Sequence, residues 1–237
     1  MVKINYIGKC LLLEDSGERV LVLGDLHLGY EGSMRRSGIM IPIKLYDRCV
    51  KDFMEVIDNV GRVDKIIVLG DLKHEFGYIL DEEWKNISNF LILLKEFCDE
   101  LVVIEGNHDP ILFPILEKIS ATSVESYSWE KFIFAHGDKD FSELYDKKIK
   151  YWVLGHGHPA VTLKESVTRE SYKCFLVGNY KSKKIMLVPS FFPLIMGTDA
   201  REFNLGYPFD FELEKFEVIV VEDNLKNLKF GKLKNIN

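Results

Sequence analysis

The chain has few cysteines, no long apolar run and no basic excess, and each lack removes a class of protein. Cys10, Cys49, Cys98 and Cys174 are dispersed, with no CxxC spacing. That excludes a cysteine zinc site and a disulfide framework, and leaves buried, reduced thiols. No apolar run reaches the length of a membrane span, and Met1-Val2-Lys3-Ile4-Asn5 does not open a signal peptide. A cytoplasmic protein with no membrane partner is therefore expected. Lys and Arg number 31 against 37 Asp and Glu, for a formal net charge of −6. This argues against a broad basic face for duplex nucleic acid, though not against a local basic patch. Internal repeats, low-complexity segments and linkers are also missing. With 237 residues, 47% of them hydrophobic, one domain over 1–237 with a full core is the economical reading.

Spare histidines are lacking too. All six lie in short Gly/Asp/Asn motifs: Gly24-Asp25-Leu26-His27, Gly70-Asp71-Leu72-Lys73-His74, Gly106-Asn107-His108-Asp109, Ala135-His136-Gly137 and Gly155-His156-Gly157-His158. Neutral imidazole is the commonest side-chain metal ligand, and Asp and Asn oxygens complete harder sites.

Most of these motifs follow strand-like runs. Lys3–Leu13 and Arg19–Leu23 read as an opening hairpin through Gly17, and the second run leads into Asp25. Gly29–Ile41 reads as a long loop, and Pro42 opens a helix to about Asn59. Lys65–Leu69 and Leu101–Ile104 read as strands buried on both faces. Between them Asp81 caps a helix whose stripe is Trp84, Ile87, Leu91, Leu94 and Cys98. A short helix follows from Pro110 to about Lys118. The remainder is strand-rich: Lys131–Ala135, Tyr151–Leu154, Tyr172–Val177, Ile185–Val188, Phe216–Val221 and Leu225–Phe230. Helices alternate with strands early and strands dominate late. The expected fold is α/β, with two packed mixed β-sheets flanked by helices.

In open α/β sheets, ligands bind beyond the carboxyl ends of the strands. Five strands emptying onto one rim would unite Asp25, His27, Asp71, His74, Asn107, His108, His136, His156 and His158. Three Asp or Asn oxygens and up to six imidazoles exceed the needs of one ion, so two metals are expected. A two-metal site, with ions about 3.5–4 Å apart, clamps the attacking and leaving oxygens of a displacement and generates hydroxide near neutral pH. Phosphate esters are its natural substrates, because the metals offset phosphoryl charge.

The five motifs, in this order, resemble the calcineurin-like metallophosphoesterases. The resemblance implies that Asp25, His27 and His158 bind one metal and Asn107, His136 and His156 a second, with Asp71 bridging. It implies a bridging hydroxide attacking phosphorus in line, His108 as general acid, Asp109 orienting His108, and His74 contacting the scissile phosphate. The stretch Asp25-Leu26-His27-Leu28-Gly29-Tyr30-Glu31, with Arg35-Arg36-Ser37-Gly38 and Pro42, is similar to a small archaeal and bacterial subgroup. That subgroup is related to the nuclease subunit of the double-strand-break repair complex. The chain is too short for the capping domain of the repair nucleases, so processive duplex resection is not expected.

The function expected is a phosphodiesterase using two divalent ions. Mn²⁺ is preferred, with Fe, Ni²⁺, Zn²⁺ and Mg²⁺ open. The substrate is a nucleotide or nucleic-acid end, including single strands, and Arg35 and Arg36 are candidates for phosphate binding. The alternatives are a phosphomonoesterase and a non-catalytic docking module. Lys147, Lys148, Lys150, Lys181, Lys183 and Lys184 read as solvated faces, and Phe191-Phe192-Pro193 as packing rather than base stacking.

Overall fold

The structure, a computed structural model, describes residues 2–39, 44–74, 81–107, 112–165 and 168–236. The first half builds a six-stranded sheet in the order β1 (Lys3–Ile7), β2 (Cys10–Asp15), β3 (Glu18–Leu23), β4 (Val63–Val68), β5 (Cys98–Ile104) and β6 (Thr122–Val124). Strands β1 to β3 form an antiparallel meander. The continuous apolar run from Lys3 thus folds as two strands, not one. Gly8, at φ +55°, turns the chain, and Lys9 leaves the sheet to bond Asp52 and the Phe191 carbonyl. Ser16 and Gly17, both at positive φ, make the tight turn into β3. From β3 onward the strands run parallel.

Four α-helices lie among the described residues: α1 (Tyr30–Arg36), α2 (Leu45–Val60), α3 (Asp81–Glu96) and α4 (Phe113–Lys118). The segment read as a loop at Gly29–Ile41 therefore holds a two-turn helix. Glu31, on that helix, accepts the N–H groups of Leu45 and Tyr46 and so caps α2. The residues around Pro42 lie outside those described. In α2, Leu45, Cys49, Asp52, Phe53, Val56 and Ile57 face inward, at helical spacing. In α3 the inward face is Glu83, Ile87, Phe90, Leu91 and Leu94. Ile87, Leu91 and Leu94 of the expected stripe face inward, whereas Trp84 stays 38% exposed and Cys98 opens β5, with Glu83 and Phe90 completing the face. Glu83 takes the buried place because its carboxylate accepts the His74 N–H at 3.3 Å.

The second half builds a sheet in the order β13 (Thr198–Asp199), β10 (Pro159–Glu165), β11 (Thr168–Tyr180), β12 (Lys183–Leu187), β9 (Tyr151–Leu154), β8 (Phe132–Ala135) and β7 (Ser126–Trp129). Strand β14 (Glu217–Val221) pairs with β11, and β15 (Asn227–Lys232) with β14. Strands β8, β9 and β12 are parallel neighbours.

Strand alternation sorts the side chains into layers. Leu11, Leu13, Val20, Val22, Ile67, Val102 and Ile104 meet Phe132, Phe134, Val153, Phe175 and Met186 between the sheets. Cys10, Leu12, Leu21, Leu23, Ile66 and Val103 point the other way, under α2 and α3. The outer face of the second sheet is covered by Leu144, Leu205, Phe209, Phe216 and Leu233 from turns and irregular chain. Among the described residues, α-helices thus flank the first sheet, and short 3-10 helices lie on the second. The four thiols are buried and free, and burial pushes Cys10 and Cys49 up to about 12, so they stay protonated. No helix of the described residues is long and apolar enough to cross a membrane.

Candidate metal centre

The parallel strands of both sheets end on one edge. Strand β3 delivers Asp25 and His27, β4 delivers Asp71, β5 delivers Asn107, β8 delivers His136, and β9 delivers His156 and His158. The loops are tied to each other through the backbone. Asp71 O accepts from Leu26 N at 3.0 Å and His27 N at 2.8 Å, and Leu28 N donates to Leu72 O at 2.8 Å. Gly70 sits at φ +94°, and a Cβ there would lie 2.8 Å from the Gly106 backbone and His136 Nδ1, so only glycine lets these loops close together.

Asp25, His27, Asp71 and His158 each offer one ligand atom, all within 4.8 Å of one another. His27 Nε2 lies 3.0 Å from His158 Nε2, and Asp25 Oδ2 lies 3.6 Å from His158 Nε2. A second group adjoins it. His136 Nε2 is 3.0 Å from Asn107 Oδ1, 3.1 Å from His156 Nδ1 and 3.5 Å from Asp71 Oδ1. Asp71 stands between the groups, its other oxygen 3.9 Å from His27 Nε2.

The donor chemistry fits cations. His136 Nδ1 lies 2.7 Å from the Leu69 carbonyl, which only accepts, so the ring proton sits on Nδ1. Burial disfavours the charged His136 ring, but Asp25 and Asp71 override it and push its pKa up; in the neutral ring Nε2 presents a lone pair to Asn107 Oδ1 and the Asp71 carboxylate, which are also acceptors. Acceptors converging on one another want a cation among them, and a carbonyl-anchored imidazole is the usual support of a metal ligand. Burial disfavours ionised Asp25, but His158, His136 and His27 override it and hold the carboxyl well below the usual carboxylate range. Burial and the neighbouring His136 push His156 down, which keeps it neutral and able to ligate.

Backbone strain gathers at the same place. His27, Asp71, His156 and His158 all have positive φ, between 42° and 66°. Each costs about 1–3 kcal/mol and persists only where the surroundings over-determine it. The floor of the centre is buried: Asp25, His27, Asp71 and His136. Asn107, His74, His156 and His158 border its accessible side.

The His74 ring packs edge-on against His27, centroids 5.7 Å apart, and against Tyr30 at 4.5 Å. Arg35 and Arg36 form the last turn of α1, and Arg35 pairs with Glu82 at 3.1 Å on the surface. His108 and Asp109 lie outside the described residues. Lys147, Lys148 and Lys150 precede β9, at the end of that strand away from His156. Lys183 is not solvated as expected. It is buried and donates to the Asp146 and Ile149 carbonyls at 2.6 Å each. Phe191 and Phe192 are core residues.

Several supports had no reading in the sequence. The Ser190 hydroxyl and the Phe191 N–H both donate to the Asp25 carbonyl, at 2.9 and 3.0 Å. Buried Lys173 donates to the Ser190 and Phe192 carbonyls and fixes that segment. The Tyr207 hydroxyl donates to the Gly155 carbonyl at 2.6 Å. Burial and the nearby Asp25 raise the Tyr207 phenol, which keeps its proton. The only sequence signal among these is position: Ser190 and Phe191 follow a strand at the rim.

Among curated protein sequences none matches this chain. Many solved structures resemble it, among them the following three. A nuclease MPE from Pseudomonas putida is 15% identical, with 96% of this chain and 100% of that one covered, at a TM-score of 0.62. A Vps29 double mutant from Entamoeba histolytica is 14% identical over 90% and 99%, at 0.39. A protein of unknown function from Aquifex aeolicus is 15% identical over 58% and 77%, at 0.37. The first of these shares the two-sheet fold. The family model of calcineurin-like phosphoesterases matches residues 18–195, from β3 through the Ser190 segment. The chain belongs to the calcineurin-like phosphoesterase family, whose members are metal-dependent hydrolases.

Proposed function

We propose that the protein is a phosphodiesterase that uses two divalent ions to hydrolyse nucleotides or nucleic-acid ends, single strands included. The observation that carries this reading is the placing of Asp71, one oxygen toward His27 and the other toward His136. Asp25, His27, Asp71 and His158 would hold one ion, and Asp71, Asn107, His136 and His156 the other. Mn²⁺ is the proposed metal, with Fe, Ni²⁺, Zn²⁺ and Mg²⁺ the alternatives that mixed imidazole and carboxylate donors also suit. Two such ions supply a hydroxide nucleophile near neutral pH and positive charge beside the phosphoryl oxygens.

The chain's own groups do the rest. His108 would donate the proton that the leaving oxygen needs, and Asp109 would hold the His108 ring in position. His74, on the accessible side next to His27, would donate to a phosphate oxygen. Arg35 and Arg36 are the proposed outer phosphate contacts. The exposed Arg35–Glu82 pair that would open is worth at most about 1 kcal/mol. The diester preference is supported by the nuclease of like fold.

The test is hydrolysis by Mn²⁺-loaded protein of matched aryl phosphodiester and monoester, followed by cyclic nucleotides, single- and double-stranded DNA, and RNA. Diester turnover ahead of monoester is expected. Faster monoester turnover would make the protein a phosphomonoesterase, and no turnover of either would sink the hydrolase reading.

A further inference from the structure

The turn that carries His156 is strained and is held from outside the matched residues 18–195. Gly157 N–H donates to Gly155 O at 2.8 Å, an i to i+2 bond around His156 at φ +66°. A three-residue turn with a left-handed centre is the rare, strained kind. His158 follows at φ +42°. Tyr207 bonds both ends of this turn. Its hydroxyl donates to Gly155 O at 2.6 Å and accepts from Gly157 N at 3.3 Å. Its ring lies edge-on to His156, centroids 6.1 Å apart, and is backed by Phe211 at 5.6 Å. A Cβ on Gly157 would meet the Tyr207 ring and hydroxyl at 2.6–2.7 Å. Next to it, Gly206 sits at φ +80°, and a Cβ there would lie 2.9 Å from His156 Nε2. The segment thus closes on the Nε2 side of His156 and leaves Nδ1 facing His136.

We propose that Tyr207, with Gly206, is a positioning residue that holds the Gly155–His158 turn in its metal-binding shape. The proposal rests on the two-metal reading. The strain is carried in the folded protein before a metal arrives, so the ligands need not reorganise on binding. Outer partners of metal ligands are typically worth about 10–100-fold in affinity.

The experiment compares full-length wild type with Tyr207→Phe, which keeps the ring and removes only the hydroxyl. Mn²⁺ binding is followed by calorimetry, amide exchange at Gly157 is measured in metal-free protein, and thermal unfolding is recorded. Tyr207→Phe should bind Mn²⁺ about tenfold more weakly, and its Gly157 amide should exchange about tenfold faster, as the loss of one hydrogen bond implies. Its Tm should stay close to wild type, and KM at saturating metal should be unchanged. Unchanged Mn²⁺ affinity would overturn the proposal. If Tyr207→Phe does not fold, Gly206→Ala carries the test: it keeps the hydroxyl and presses on His156, so unaltered Mn²⁺ affinity there overturns the proposal equally. Wild-type protein that binds no Mn²⁺ would instead overturn the two-metal reading, and the exchange rates would still decide whether Tyr207 holds the turn.

Discussion

Asp71 shows what one residue does in this centre. Its carboxylate lies between two imidazole groups, and its backbone carbonyl collects the N–H groups of Leu26 and His27. Asp71→Asn keeps the shape and removes the carboxylate's negative charge. Mn²⁺ affinity should fall by more than about 100-fold, the upper end for merely supporting residues, as measured by equilibrium dialysis. His108 poses a different question, because a proton donor matters only when the leaving oxygen is basic. His108→Ala should bind Mn²⁺ normally and lose about 10²–10⁴-fold on a nucleotide leaving group. The loss should be much smaller on p-nitrophenolate, which departs without a proton. Equal losses on both substrates would remove His108 from the acid role.

At the scale of elements, the short strand β13 fastens the chain after the last histidine. Thr198 N donates to His158 O at 2.8 Å, and Asp199 accepts from Thr162 N and from the Arg201 guanidinium and backbone. Burial alone would raise the Asp199 pKa. The Arg201 side chain and the Arg201 and Thr162 amides outweigh burial and hold it at about 2. A carboxyl depressed in the folded state stabilises the fold fully above its unfolded value. That stabilisation is lost as pH falls through the folded value. Between about pH 4 and about pH 2 the wild type should therefore lose Tm more steeply than Asp199→Asn. Parallel acid-melting curves check this, and identical slopes would remove Asp199 as a contributor. Helix α1 acts similarly as a fastener. Its Glu31 caps α2, so a stretch read as loop from its glycines and polar residues is helical because tertiary contacts complete it.

For the whole molecule, the site joins the two sheets. Asp25, His27, Asp71 and Asn107 come from the first, and His136, His156 and His158 from the second. Ions bound there would cross-link the halves of the sandwich and stabilise only the folded state. At a hundredfold excess over Kd, each ion adds about 2.7 kcal/mol. For a chain of this size that corresponds to a Tm rise of roughly 5–10 °C. Calorimetric scans with and without Mn²⁺ measure the rise, and in His136→Ala, which loses a ligand of the second ion anchored to Leu69, it should shrink by that ion's share.

The sequence by itself determined which atoms meet. Each motif directly follows a buried strand, and parallel strands all deliver their ends to one edge, so Asp25, His27, Asp71, Asn107, His136, His156 and His158 were legible as one cluster. The two-sheet α/β fold was legible too, because period-2 burial and continuous apolar runs are local signals. Tertiary structure alone decided the split at Gly8, the burial of Glu83 in place of Trp84 on α3, the burial of Lys183 and the supports of the site. Lys9, Glu31 and Glu83 meet their partners only when segments separated in sequence are brought against them. Tyr207 sits in an irregular stretch with no period, and only the folded chain brings it to the His156 turn. Periodicity reports a residue's own element, whereas a hydrogen bond across 52 positions exists only once both elements are packed.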